Sequence, residues 1–79
     1  MHLMLFGTSG CHLCVQAELI VNTCVPDGVE TVDIAEQEQW QELYAVRIPV
    51  LVDFESGREL GWPFDLAGVE DFVGRVACM

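Results

Sequence analysis

Two cysteines separated by two residues, Cys11 and Cys14, are the side chains of this sequence best suited to chemistry. They lie between a short apolar run, residues 3–6, and a segment with helical periodicity. A thiol at the start of a helix lies beside unpaired backbone N–H groups and the positive end of the helix dipole, which stabilise its thiolate and lower its pKa below the free value of about 8.5. We therefore predict that Cys11 is a nucleophile. Cys14, three residues on and on nearly the same helical face, is predicted to resolve a mixed disulfide formed at Cys11.

The same cysteine spacing could instead supply half of a zinc site. Structural zinc normally takes four ligands, the second pair coming from another such motif or from paired histidines. The other candidate ligands of the chain lack this spacing; they are His2, His12, Cys24 and Cys78. A redox dithiol is the favoured interpretation, and no metal ligand is predicted.

Charge and hydropathy restrict the partners of this chain. Its 79 residues include thirteen acidic residues, three arginines and no lysine, for a net charge of -10. Nucleic acid and anionic membrane surfaces are therefore not expected to bind, whereas a basic patch on another protein would be attracted. An acidic, solvated surface that keeps a small protein in solution is the other explanation of the charge.

The location of the protein follows from its segments and its cysteines. No segment approaches the ~18 apolar residues needed to span a bilayer, and residues 1–10 lack the basic start and long apolar core of a secretory signal. We expect a cytoplasmic protein, in which a catalytic cysteine pair fits better than a disulfide scaffold.

Hydrophobic periodicity predicts the element order βαβαββα in a single domain, residues 1–79. Strands are expected over residues 2–6, 29–34, 50–54 and 59–61. Helices are expected from Cys11 to about Cys24, from about Glu36 to Ala45, and after the capping residue Asp65. The predicted buried faces of these helices are, in order, Leu13, Ala17, Ile20 and Cys24; Trp40, Leu43 and Tyr44; and Leu66, Val69, Phe72, Val73 and Val76.

With this order of elements, the sequence resembles the glutaredoxin branch of the thioredoxin superfamily. More closely, it resembles a family of small glutaredoxin-like proteins of unassigned function. The resemblance covers nearly the whole chain, and the motifs that carry it are Phe6-Gly7-Thr8, Gly10-Cys11-His12-Leu13-Cys14, Arg47-Ile48-Pro49-Val50-Leu51 and Gly61-Trp62-Pro63-Phe64-Asp65. It implies a thioredoxin-like α/β fold with a four-stranded mixed sheet of order 2-1-3-4. It also implies that helices one and three cover one face of this sheet and helix two the other.

The resemblance further implies that the Ile48–Pro49 peptide bond is cis and faces the dithiol. A cis proline has no N–H and turns the preceding backbone outward, so Ile48 could pair with an extended peptide or with the cysteine portion of glutathione. Asp65 aligns with the aspartate that contacts the γ-glutamyl end of glutathione, although capping of helix three explains it equally well. Arg47, the only cation near the predicted site, could bind a carboxylate or could be a solvated charge beside the strand.

Gly10 and His12 complete the predicted substrate-binding residues, because they flank Cys11. The imidazole of His12 could stabilise the Cys11 thiolate or help to transfer its proton, or it could be an exposed residue of the first turn. Two departures from glutaredoxins weaken the case for glutathione. Thr8 stands where they usually have a basic residue, and Gly61-Trp62 stands where they have a Gly-Gly pair.

The sequence thus predicts a thiol–disulfide oxidoreductase with no obligatory cofactor and with glutathione as one candidate reductant. Its expected partner is a disulfide-containing protein, and the chain is expected to be a monomer. Two alternatives remain open: a binding module on the same fold whose thiols only pack, and a metal or iron–sulfur carrier that uses the cysteine pair. In the implied topology helices one and three run parallel from the dithiol end, which places Cys24 near Cys78; both are expected to be free thiols.

Overall fold

The computed structural model describes residues 2–26 and 28–77 of the chain. The elements follow the predicted order βαβαββα, with a 3₁₀ helix added between the second strand and the second helix. They are strand β1 (Leu3–Gly7), helix α1 (His12–Cys24), strand β2 (Glu30–Asp33), the 3₁₀ helix (Ile34–Glu36), helix α2 (Glu38–Tyr44), strands β3 (Val50–Asp53) and β4 (Glu59–Gly61), and helix α3 (Leu66–Ala77).

The four strands form one mixed sheet in the order β2-β1-β3-β4, which confirms the predicted topology. Strand β1 is parallel to β2 and antiparallel to β3, and β4 is antiparallel to β3. Strands β1 and β3 are central and are covered on both faces, which explains why their sequences are continuous apolar runs instead of alternating ones.

Helices α1 and α3 pack on one face of the sheet and α2 packs on the other, as the resemblance implies. On the α2 face, Phe6 is fully buried between two aromatic rings. It stacks on Tyr44 with ring centroids 4.5 Å apart and meets Trp40 edge-on at 5.5 Å. Because Phe6 is followed directly by Gly7 at the end of β1, this packing fixes the strand end from which the cysteine loop departs.

The buried faces of the helices differ in part from the predicted ones. Val21, which was not predicted to face the core, is fully buried, whereas Leu13 is 44% exposed. Cys14 already packs against Gly7, the last residue of β1, so Leu13 lies at the rim of the sheet with little core beneath it. Leu43 and Leu66 are also exposed. In α2 the core contact is made by Tyr44, the next residue, and in α3 the core contacts are made by later residues of the helix.

The end of α1 lies against the start of α3, so the predicted proximity of Cys24 to the far end of α3 is wrong. The Cys24 thiol donates to the carbonyl of Leu66 at 3.7 Å, and Cys78 lies outside the described residues. The reason is the segment between β4 and α3. Its Trp62 N–H donates to the Pro49 carbonyl at 3.2 Å, near the cysteine loop, and the chain then crosses the α1 face before α3 begins.

Burial raises the pKa of the Cys24 thiol, and the negative charge of Glu70 in the first turns of α3 raises that pKa further. Both effects favour the protonated thiol, which is the unreactive form. Cys24 therefore has the surroundings of a packed thiol.

Candidate functional site

Cys11 and Cys14 form a disulfide at the N-terminus of α1. Their Cα atoms are 5.2 Å apart, within the range of about 4.4–6.8 Å typical of disulfides. Cys11 is the N-cap residue of α1, and its Sγ accepts a hydrogen bond from the backbone N–H of Cys14 at 3.2 Å. An N–H group directed at this sulfur would also stabilise a thiolate there once the disulfide is reduced.

The loop before Cys11 ends in a glycine that the backbone requires. Gly10 has a φ of +77°, in the left-handed region that residues with a Cβ rarely adopt. Gly10 is exposed, whereas Cys11 and Cys14 are both half-buried, and the Cys14 side chain packs against Gly7 at the end of β1. His12, the first residue of α1, is also exposed.

Pro49 is placed near the disulfide by strand pairing. Phe6 pairs with Val50, so the preceding Pro49 is the neighbour of Gly7, the residue against which Cys14 packs. The Ile48–Pro49 peptide bond is cis, as the resemblance implies, and Trp62–Pro63 is cis as well. The Ile48 N–H donates to the Tyr44 carbonyl at 3.0 Å, so an extended peptide could pair only with the Ile48 carbonyl.

Arg47 is engaged within the chain, which the sequence did not predict. Its guanidinium forms an ion pair with the Glu59 carboxylate and lies over the Tyr44 ring, 5.6 Å from the centroid. The Tyr44 hydroxyl donates to the other oxygen of Glu59 at 3.3 Å. Burial raises the pKa of Tyr44, and the Glu59 charge raises it further, so the hydroxyl stays protonated as a donor. Glu59 thus holds two donors that a bound carboxylate could otherwise use.

Asp65 caps α3 through a side-chain oxygen that accepts the Gly68 N–H at 2.7 Å. This is the capping role that the sequence predicted as one of two explanations for Asp65. Neither Asp65 nor Arg47 lines the cavity beside the disulfide. The structure therefore brings together Gly10, Cys11, His12 and Cys14, with Ile48 and Pro49 at the adjacent start of β3. The other two predicted residues have partners of their own, since Arg47 pairs with Glu59 and Asp65 caps α3.

A cavity of about 230 Å³ adjoins the disulfide on the side of β2. Both cysteines line it, together with two acidic residues that the sequence did not single out, Glu18 and Asp33. Only Glu18 could have been found from its spacing in the sequence, whereas the place of Asp33 depends on the pairing of β1 with β2. Glu18 follows Cys14 by one helical turn on the same face, and Asp33 ends β2 as the register partner of Gly7. We call this space the β2-side cavity.

Comparisons with known proteins agree with this geometry. The family model described as Glutaredoxin-like domain (DUF836) matches residues 2–74. The chain belongs to this glutaredoxin-like family. The resemblance stated from the sequence motifs is confirmed. No match was found among curated proteins.

Solved structures similar to this glutaredoxin-like domain include two proteins of comparable size. Protein XcR50 from X. campestris has a TM-score of 0.83 at 33% identity, over 92% of this chain and 96% of that chain. Protein Ne2328 from Nitrosomonas europaea has a TM-score of 0.74 at 25% identity, over 90% and 88% of the two chains. Thioredoxin 1 from Thermosipho africanus has a TM-score of 0.72 at 15% identity, over 98% and 94%, which shows the shared thioredoxin fold.

Two further features of the glutaredoxin-like domain concern the described residues 2–26 and 28–77. Within these ranges, no three side chains of His, Cys, Asp or Glu lie close enough together to hold a metal ion. Over the same ranges, the helices are too short or too polar to cross a membrane.

Proposed function

We propose that this glutaredoxin-like domain is a thiol–disulfide oxidoreductase in which Cys11 attacks and Cys14 resolves. One observation carries the proposal: the two sulfurs meet in a disulfide at the start of a thirteen-residue helix, where the Cys14 N–H is directed at the Cys11 sulfur. A dithiol in this position can alternate between a stabilised thiolate and an intramolecular disulfide.

In the reducing direction, the Cys11 thiolate attacks one sulfur of a partner disulfide. A Cys11–partner disulfide forms and the second partner sulfur leaves as a thiolate. The Cys14 thiolate then attacks the Cys11 sulfur, forms the Cys11–Cys14 disulfide and releases the first partner sulfur. Two electrons pass from the dithiol to the partner, and the two protons of the dithiol end on the partner's thiols. The reverse sequence oxidises a partner dithiol.

The preferred substrate under this proposal is a protein disulfide or a protein mixed disulfide. Arg47 is already paired with Glu59, so it offers glutathione carboxylates less charge than a free arginine would. Glu18 and Asp33 beside the disulfide also repel an anion and favour a partner with a basic residue next to its cysteine. Glutathione is a candidate reductant that would recycle the disulfide. The proposed reaction needs no obligatory cofactor. We propose the cytoplasm as its location.

The exposed surface around the disulfide supplies the proposed docking site. Gly10 and His12 flank the attacking sulfur, and the carbonyl of Ile48 beside Pro49 can accept a hydrogen bond from an extended partner chain. Asp65 has the structural role of capping α3. Arg47 is a cation that can bind a ligand carboxylate only when its ion pair with Glu59 opens.

The division of roles is tested by alkylation in a Cys24→Ala, Cys78→Ala parent, which leaves only the two thiols of interest. At about pH 6–7, a thiolate-selective reagent should label the reduced Cys14→Ser variant at Cys11 and leave the Cys11→Ser variant almost unlabelled. The Cys14→Ser variant should also accumulate a mixed disulfide with a disulfide substrate, because nothing resolves it.

Faster labelling of Cys14 than of Cys11 in the reduced parent would reverse the assigned roles. A parent that binds disulfide peptides but exchanges with none of them would identify a binding module instead of an oxidoreductase.

A further inference from the structure

At Gly7, the last residue of β1, another side chain lies directly beside the position that a Cβ would occupy. A Cβ placed there would lie 2.9 Å from the Cys14 Sγ and 3.1 Å from the Cys14 Cβ. Favourable contacts between such atoms need about 3.5–4.0 Å, so any side chain at position 7 would overlap the resolving cysteine.

The backbone gives no separate reason for glycine at this position. The glycines with positive φ are Gly10, Gly28 and Gly57, and Gly7 is not among them. It continues β1 with ordinary strand pairing, opposite Asp33 of β2. The feature that excludes a Cβ is the Cys14 side chain itself.

We infer that Gly7 is a positioning residue for the dithiol and that its missing Cβ favours the disulfide over the dithiol. In the oxidised protein the Cys14 sulfur is tied to Cys11 and cannot rotate away from position 7. In the reduced protein the thiol is free to turn about its χ1 bond, so an alanine at position 7 conflicts less with it. The inference rests on the proposed function for its significance, but the redox equilibrium can be measured without any physiological partner.

The first experiment compares Gly7→Ala with the parent in glutathione redox buffers and reads the fraction of Cys11–Cys14 disulfide. We expect the variant to favour the dithiol at least tenfold more than the parent, a shift of about 30 mV to a less negative reduction potential. Gly74→Ala is the matched control, because Gly74 lies in α3 with no side-chain or strand atom within 4 Å of an added Cβ. Its potential should equal that of the parent.

A purely structural role for Gly7 predicts a different result. If the glycine only allows α1 to approach β1, alanine should destabilise the oxidised and reduced forms equally and leave the potential unchanged. That outcome would overturn the inference.

The second experiment keeps the test decisive if Gly7→Ala folds poorly. The substitution is repeated in a Cys14→Ala background, where the sulfur is gone and only the 3.1 Å contact with the Cβ remains. The loss of stability should be less than half of that in the disulfide-bonded parent, because the two positions are coupled through the sulfur. An equal loss, or failure to fold in both backgrounds, would contradict the role of the sulfur.

The two proposals fail separately. If the parent forms no Cys11–Cys14 disulfide in any redox buffer, the proposed oxidoreductase is wrong. If the parent equilibrates normally and Gly7→Ala does not shift the equilibrium, only the role of Gly7 is wrong.

Discussion

Glu59 determines how much of its charge Arg47 can offer to a ligand. The Glu59 carboxylate pairs with the guanidinium and also accepts a hydrogen bond from the Tyr44 hydroxyl, so Arg47, Tyr44 and Glu59 form one network of polar contacts. Arg47 is 43% exposed and Glu59 34% exposed, so solvent screens the pair and a ligand carboxylate could compete for the arginine.

The Glu59→Gln variant should therefore bind anionic thiol substrates more tightly. An exposed ion pair contributes up to about 1 kcal/mol, so release of Arg47 should lower the KM for a glutathione mixed disulfide by at most about fivefold. The rate at saturating substrate should change little, because the cysteines are untouched. The measurement is steady-state exchange with a glutathionylated peptide.

Glu38→Gln is the control for this prediction, because it removes the same unit of charge from an exposed position at the start of α2. An equal fall in KM for both variants would mean that only the net charge matters. A KM unchanged in Glu59→Gln would show that Arg47 does not contact the substrate.

At the scale of elements, the turn from β3 to β4 depends on a buried aspartate. Asp53 is 1% exposed, and its oxygens accept from the His2 N–H at 2.9 Å, the Ser56 N–H at 3.2 Å and the Ser56 hydroxyl at 2.7 Å. The Glu55 N–H donates as well, at 3.3 Å. Burial by itself raises the pKa of this carboxyl, but the hydrogen bonds outweigh burial and the net pKa is lowered from its usual 3.8.

We predict that Asp53→Asn lowers the free energy of unfolding near neutral pH by about 2 kcal/mol, because an amide nitrogen replaces one acceptor oxygen and the charge is lost. A lowered folded-state pKa means that the carboxylate stabilises the fold above pH 3.8 and that this contribution is lost as the pH falls through the folded-state pKa. Urea unfolding at several pH values should show the gap between parent and variant closing below pH 3.8.

The matched control is Asp71→Asn, which removes an exposed carboxylate paired with Arg75 at 2.9 Å in α3. Such surface pairs contribute about 0–1 kcal/mol, so this variant should stay close to the parent. A gap for Asp53→Asn that does not vary with pH would indicate that the carboxylate charge has no part in the stabilisation.

Local patterns identified every strand and α-helix of this fold, because the spacing of apolar residues along the chain differs between strands and helices. They did not identify partners that approach from distant parts of the chain. Asp53 looks like an ordinary turn residue, and its bond joins it to His2, 51 residues earlier in the sequence, which only the pairing of β1 with β3 brings close. Arg47 looks like a free cation because Glu59 reaches it only after β3 and β4 have paired.

The candidate site was likewise predictable only where it depends on residues that are neighbours in the sequence. The cysteine pair and its helix start are local, and the structure reproduces them. The place of Pro49 came from the resemblance, and the acidic lining of the β2-side cavity depends on β1 and β2 being adjacent, as Gly7 and Asp33 show.

At the scale of the whole molecule, charge is the property most relevant to partner choice. The net charge is -10, and within the described residues two of the arginines are paired, Arg47 with Glu59 and Arg75 with Asp71. Acidic side chains also lie near the disulfide, because Glu18 and Asp33 line the β2-side cavity together with both cysteines. Long-range attraction and local contact should therefore favour the same kind of partner.

We predict that the rate of exchange with a short disulfide peptide depends on the residues flanking its cysteine. A lysine-flanked peptide should react faster than a glutamate-flanked one at low salt. The difference should shrink as salt rises from about 0.01 M to about 1 M, because the Debye length falls over this range from about 30 Å to about 3 Å.

The combined Glu18→Gln, Asp33→Asn variant separates the effect of the cavity from that of the overall charge. A variant with Glu38→Gln and Glu42→Gln, both exposed on α2, makes the same change in net charge away from the cavity. If the cavity selects the partner, the first variant loses most of the preference for lysine and the second keeps it. Equal losses in both would assign the preference to net charge alone, and equal rates for the two peptides at low salt would remove the basis for a basic partner.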